Sequence, residues 1–123
     1  MAADLATRLA AVADGSTLRI TTRGRRSGKP HTVTIWFLVE GMTVYLATLS
    51  TGRDWVRNVV KGPDVTLTVD GLHIRGRAAR ITDPRQDAHV RTLLARKYWM
   101  AWIGSWFGKG PAATFRVDRV ELA

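Results

Sequence analysis

The chain contains no cysteine. Disulfides, thiolate nucleophiles and cysteine-ligated metals are excluded together. Carboxylates are scarce, ten Asp and Glu against 19 Lys and Arg, and no pair of them stands out for acid–base work. The three histidines, His31, His73 and His89, fall in three different predicted elements. None has a carboxylate at metal-motif spacing, so no metal site is expected. A Gly-x-Ser-x-Gly elbow, a Walker loop and a Gly-x-Gly-x-x-Gly turn are all missing. No apolar run reaches the ~20 residues of a membrane-spanning helix. Asp4 and Arg8 also interrupt the N-terminal apolar positions, unlike a secretory leader. These absences point to a cytoplasmic protein without a transmembrane segment. If it is an enzyme, a bound group must supply the chemistry.

What is present is positive charge. The net charge of +9 is carried by 15 Arg and 4 Lys, which suggests an anionic partner: nucleic acid, a membrane surface or a phosphorylated small molecule. Arginine suits two-pronged recognition of phosphate or carboxylate. A high arginine count also follows from base composition, so the placement of the charges has to choose the partner.

With 123 residues, 46% of them hydrophobic, the chain is expected to form a single domain spanning residues 1–123 with a substantial core. Residues 3–13 read as a short helix with Leu5, Leu9 and Val12 on one face. Thr17–Thr22 alternates as a strand. A basic, glycine-bracketed turn follows over 23–30. His31–Glu40 reads as a longer strand, with Val33, Ile35 and Phe37 on one face and Trp36 and Leu38 on the other, consistent with cover on both sides. Val44–Ala47 is a third strand. Asp54 is expected to cap a short helix, Trp55–Lys61, ended by Gly62-Pro63. Val65–Val69 and Leu72–Ile81 form a hairpin at Asp70-Gly71. Asp83-Pro84 opens a helix extending towards Trp106. The last strand carries Phe115, Val117, Val120 and Leu122, and a bulge is expected near Asp118-Arg119, where the alternation slips. The predicted fold is mainly β with helices (α+β): about six antiparallel strands in a closed or nearly closed barrel, with a long helix inserted before the last strand.

Two segments can carry chemistry. Within Thr21–Val33, Gly24 and Gly28 bracket a turn whose bare N–H groups form a nest for phosphate oxygens. Arg25, Arg26 and Lys29 add charge, and Ser27 adds a hydroxyl. The strand leaving the turn, from His31 to Ile35, offers a bed for the ligand's body. The segment Ala47–Asn58 runs from a strand end through a small-residue loop into a helix start, where N–H donors favour anions. Trp55, Arg57 and Asn58 add stacking surface, charge and an amide. Each segment also has a plain structural reading, as a basic hairpin loop and as a capped helix with a core tryptophan.

Together, Thr21-Thr22-Arg23-Gly24-Arg25-Arg26-Ser27-Gly28-Lys29-Pro30-His31-Thr32-Val33, Asp54-Trp55-Val56-Arg57-Asn58-Val59 and Val65–Val69 resemble the deazaflavin (F420)-dependent nitroreductase family, one of the split β-barrel flavin/deazaflavin oxidoreductases. The resemblance covers roughly residues 17–82. It implies a split β-barrel that binds reduced F420 and passes a hydride to a quinone, nitroaromatic or similar electron-poor acceptor. By the same resemblance, the turn Arg25, Arg26, Ser27, Gly28 and Lys29 holds the cofactor's anionic tail. His31, Thr32, Val33, Thr34, Ile35 and Trp36 line the deazaflavin. Ala47, Thr48, Leu49 and Ser50 contact ring and ribityl chain, and Asp54, Trp55, Val56, Arg57 and Asn58 complete the pocket. The family usually has Arg at the position of His31, often Pro at that of Thr34, and Ser-Lys-Gly-Gly where this chain has Leu49-Ser50-Thr51-Gly52, which removes one cationic contact. FMN is the alternative cofactor, and a pocket that binds without turnover remains open.

Late in the chain, Tyr98, Trp102 and Trp106 recur at helical spacing beside Trp99, Ile103 and Phe107. By the same resemblance, Tyr98 and Trp99 are the candidates for contact with substrate, and Ser50 and Tyr98 are the catalytic candidates. The same aromatic stretch would also suit barrel packing or a homodimer. A nucleic-acid-binding barrel is the less favoured alternative: His73, Arg75 and Arg77 share one strand face, but no aromatic side chains interleave with them. No nucleic-acid partner is therefore expected.

Overall fold

The structure, a computed structural model, describes residues 2–99 and 111–123. Six antiparallel strands close into a barrel: β1 (Leu18–Arg23), β2 (Pro30–Glu40), β3 (Thr43–Thr48), β4 (Asp64–Val69), β5 (Leu72–Arg80) and β6 (Ala113–Leu122). Their order around the barrel is β1-β2-β3-β6-β5-β4. The described helices are α1 (Ala2–Val12), α2 (Asp54–Lys61) and α3 (Pro84–Lys97), the last inserted before β6 as its Asp83-Pro84 start predicts. Asp83 accepts a hydrogen bond from the Gln86 N–H, closing that cap.

Alternation along the strands fills the interior. Ile20, Phe37, Leu46, Leu67, Ile74, Phe115 and Val117 are wholly buried, each contributing about 1.5–3 kcal/mol relative to exposure. Helix α1 adds Leu5 and Leu9 to this core, and α2 adds Trp55, Val56 and Val59. The Trp55 ring meets Phe115 at 5.0 Å and 58°, a tilted geometry that aromatic quadrupoles favour. The outward face of β3 is covered as well. Tyr45 and Ala47 pack with Ile81 and with Val90 and Leu94 of α3, while Leu38 and Tyr98 border the same cluster.

Two turns follow the chemistry of their residues. Asp70 and Gly71 both adopt positive φ (46° and 82°), as a tight hairpin between twisted strands requires. In the β5–β6 pairing, Arg75 faces Glu121 and Arg77 faces Asp118, so Arg119 and Val120 stand opposite Gly76 alone. Arg119 takes φ 55° in this bulge.

The helices depart from the sequence reading in two places. Arg53, not Asp54, is the N-cap residue of α2, and its side chain makes no capping bond. Asp54 is the first helical residue and its carboxylate turns to Arg25 instead. Helix α3 stops at Lys97, and Tyr98 is its C-cap with φ −113° and ψ 28°. Trp102, Ile103, Trp106 and Phe107 lie outside the described residues.

The pairing of β2 positions the site. Its first half, Pro30–Ile35, pairs with β1, and its second half, Trp36–Glu40, pairs with β3. Strand β3 ends at Thr48, so along the first half of β2 the barrel wall parts. The loop into α2 runs beside this gap.

Candidate functional site

A cleft of about 350 Å³ opens along the gap. Strand β2 contributes His31, Val33, Thr34, Ile35 and Trp36, and the end of β3 contributes Ala47, Thr48 and Leu49. Arg53, Asp54, Trp55 and Pro111 close it. A second recess of about 260 Å³ is lined by Gly24, Arg25, Arg26, Ser27, His31, Asp54 and Asn58. His31 and Asp54 line both cavities and form the waist between them. The first cavity is mostly apolar, with an indole wall. The second is cationic and rich in donors. Among the described residues, Asp54 is the sole carboxylate on the lining of either one.

The basic turn is built inward as well as outward. Gly24 N–H donates to the Lys29 carbonyl and Gly28 N–H to the Gly24 carbonyl, each at 2.8 Å. Gly28 takes φ 72° to close the loop. The Ser27 hydroxyl accepts from the Lys29 N–H at 3.1 Å. The Arg25 N–H goes to Asn58 Oδ1 at 3.2 Å, and its guanidinium reaches the same oxygen at 3.0 Å. Asn58 is 2% exposed and donates in turn to the Thr22 hydroxyl at 3.0 Å. Lys61 Nζ holds the Arg25 carbonyl at 3.1 Å. The turn's nest therefore narrows to the adjacent N–H groups of Arg26 and Ser27, unclaimed among the described residues, with the exposed Arg26 side chain beside them.

Several candidate residues stand elsewhere. Thr32 faces outward and shares a 2.8 Å bond with Thr21. Val56 is buried in the core. Gly28, Lys29 and Arg57 are exposed but line neither cavity. The Ser50 hydroxyl accepts from the Gly52 N–H at 3.2 Å, within its own loop and off both linings. The Tyr98 hydroxyl donates towards the carbonyls of Ser16 and Phe37, at 2.7 and 3.1 Å, and accepts from the Phe37 N–H at 3.2 Å. Burial raises its pKa, partly offset by the Phe37 contact. Its ring stacks on Trp36, so Tyr98 backs a cleft wall without lining it. Trp99 is 57% exposed and also lines neither cavity.

Two lining residues escape a reading of the sequence. Arg53 immediately precedes Asp54 as the N-cap of α2, and its charge is the available signal. Pro111 has no local signal. Long-range bonds carry it to the cleft: the Pro111 carbonyl accepts from Arg91 at 2.6 Å, and the Ala112 N–H donates to the Thr48 carbonyl at 2.8 Å. Arg91 is oriented by Asp87, 2.9 Å away, and Asp87 also accepts from Thr114 at 2.6 Å. Burial works to raise the Asp87 pKa, but Thr114 and Arg91 together hold it below the usual carboxylate value.

On the outer face of β5, Arg75 pairs with Glu121 at 2.7 Å and Arg77 with Asp64 at 3.9 Å, so both guanidinium groups have carboxylate neighbours. Among the described residues, no cluster of three or more His, Asp or Glu side chains could hold a metal ion, and no helix is long and apolar enough to cross a membrane.

Comparison with known proteins agrees with the architecture. No curated protein matches the sequence. Among solved structures, a candidate pyridoxamine 5′-phosphate oxidase from Listeria innocua superposes with a TM-score of 0.70 at 16% identity, covering 96% of this chain and 97% of that one. An F420-H2-dependent reductase matches with a TM-score of 0.67 at 18% identity, over 85% of this chain and 95% of that one. An FAD-binding protein from Mesorhizobium loti matches with a TM-score of 0.68 at 15% identity, over 98% and 92%. At these identities the likeness establishes a shared split-barrel fold. The model of the pyridoxamine 5′-phosphate oxidase family matches residues 7–122, nearly the whole chain, and the protein therefore belongs to that family.

Proposed function

We propose that the protein is an oxidoreductase that holds reduced F420 across the two cavities and presents it to an electron-poor acceptor such as a quinone or a nitroaromatic. The supporting observation is the adjacent pair of cavities, a mostly apolar cleft with an indole wall that shares His31 and Asp54 with a cationic recess. A planar heterocycle suits the first, and a phosphate at the end of a hydroxylated chain suits the second. Two split-barrel neighbours are named for an F420 or flavin cofactor. FMN is the second reading, because the same slot and recess suit its ring and phosphate.

When bound, the deazaflavin supplies the hydride. The chain's own residues position and shield. Arg26, with the N–H groups of Arg26 and Ser27, binds the phosphate by charge-assisted hydrogen bonds. Val33, Ile35, Trp36 and Leu49 exclude water from the ring. Arg53, at the rim of the slot, stabilises negative charge that develops on the acceptor. No side chain is required as a nucleophile, and close alignment of the reacting carbons is the main catalytic contribution.

Anaerobic mixing with chemically reduced F420 and a simple quinone tests the reading. Enzyme-dependent return of the oxidised deazaflavin absorbance is expected. A rate no faster than the protein-free control, for both quinone and nitroaromatic acceptors, would remove the F420 assignment.

A further inference from the structure

We propose that Asp54 is a stand-in anion which the ligand's phosphate displaces from Arg25, and that it thereby selects ligands by where their negative charge lies. The inference rests on the cofactor site proposed above and assigns Asp54 a role within it.

The two partners of the ion pair are held very differently. Arg25 is pinned: its guanidinium and its backbone N–H both reach Asn58 Oδ1 at 3.0 and 3.2 Å, and Asn58 is itself buried and tied to Thr22. Its side chain is 22% exposed. The Asp54 carboxylate touches Arg25 at 3.3 Å while its side chain is 62% exposed. Asp54 can thus swing into solvent while Arg25 stays. Exposed ion pairs of this kind are weak, whereas a phosphate offers a guanidinium two parallel bonds and a larger charge.

A phosphate entering the recess meets Arg26 and the free N–H groups of Arg26 and Ser27. It also meets the like charge of Asp54, among the described residues the one carboxylate on either lining. Withdrawal of Asp54 relieves that repulsion and hands the freed Nη2–H of the Arg25 guanidinium to the phosphate. The carboxylate occupies Arg25 when the recess is empty and yields when it fills.

Its place at the waist sets the selectivity. A carboxylate accepts hydrogen bonds and repels anions. Released from Arg25, the carboxylate still lies on the border shared by the two cavities, where it accepts from a neutral, hydroxyl-bearing spacer and opposes a phosphate attached close to the ring. The favoured ligand class is a planar heterocycle, a polyol spacer and a terminal phosphate.

The test compares ligands that differ in the phosphate. Dissociation constants are measured by fluorescence for FMN and riboflavin, and for F420 and its phosphate-free deazaflavin core, with the wild-type protein, Asp54→Asn and Asp54→Ala. Either variant should raise the affinity ratio of the phosphorylated to the unphosphorylated ligand by about 3- to 10-fold, the scale of one exposed ion pair plus like-charge relief. An unchanged or lowered ratio in a folded variant overturns the proposal. If the wild-type protein binds none of the four ligands, the cofactor reading fails by itself. Inorganic pyrophosphate then serves as the probe: a larger thermal-melt shift in Asp54→Asn than in wild type supports the displacement, and an equal or smaller shift overturns it.

Discussion

The indole of Trp36 lies on the phenol ring of Tyr98, with centroids 4.3 Å apart and planes 4° from parallel. The Tyr98 hydroxyl grips both the N–H and the carbonyl of Phe37, the next residue on β2, and the Ser16 carbonyl before β1. A wall of the cleft is thereby locked to α3 and to the segment leading into β1. Tyr98→Phe keeps the stack and loses the bonds, so it should cost about 1–3 kcal/mol of stability with little change in ligand affinity. Tyr98→Ala also removes the ring stacked on the indole and should weaken ligand binding several-fold. Chemical denaturation and ligand titration of the two variants, side by side, check this separation.

Arg25 and Arg26 are neighbours with different duties. Arg25 ties the turn to α2 through Asn58 and Asp54, whereas Arg26 is exposed on the lining of the recess. Arg26→Ala should weaken a phosphate-bearing ligand by about 1.5–3 kcal/mol and leave the melting temperature nearly unchanged. Arg25→Ala should lower both. The Arg26 loss should shrink as salt rises, since the contact is exposed. Calorimetric titration at two ionic strengths and a thermal melt separate the pair.

Lys97 brings a pH dependence unrelated to ligand. Its ammonium donates to the Ala13 and Phe37 carbonyls at 3.0 and 2.9 Å and sits 3.7 Å from the Phe37 ring centroid. Burial lowers its pKa to about 8, against a smaller opposing pull from Asp14. Between about 8 and the ordinary 10.5, the unfolded chain therefore binds more protons than the folded one, and stability from this group rises with pH. Below pH 8 both states are protonated and the burial penalty is constant. Unfolding free energies of the wild type relative to Lys97→Met, measured from pH 7 to 10.5, should climb only above pH 8.

Gly76 is set by crowding. A Cβ there would lie 2.6 Å from Val117 Cγ1 and 2.8 Å from the Asp118 carbonyl oxygen, the latter backbone beside the β6 bulge. Gly76→Ala should destabilise the barrel by about 1–3 kcal/mol while ligand affinity in the folded fraction stays intact. A denaturant midpoint equal to wild type would mean that the bulge relaxes freely.

Much of this barrel is legible along the chain because its signals are local. The alternation of Leu18 and Ile20, of Val33, Ile35 and Phe37, and of Val65, Leu67 and Val69 reports the pleat directly. Asp70-Gly71, Asp83-Pro84 and the slip near Arg119 mark a turn, a helix start and a bulge. The site is less legible because it depends on what meets across the fold. That Arg25 spends donors on Asn58, 33 positions away, cannot be seen in a run of basic residues. Nor can the pull of Phe37 and Ser16 on the Tyr98 hydroxyl, or the arrival of Pro111 at the cleft through Arg91. Asp54 looks like a helix cap by type and position, yet an arginine from another hairpin claims its carboxylate.

The central claim is that one continuous site takes a planar ring at Trp36 and a phosphate at Arg26. Equilibrium fluorescence titration of the wild-type and Arg26→Ala proteins with F420, and with FMN in parallel, tests it most directly. Saturable wild-type binding to at least one cofactor, weakened about 10-fold or more by the substitution, is the predicted result. Absence of wild-type binding to both, or equal affinity in the two proteins, would contradict it.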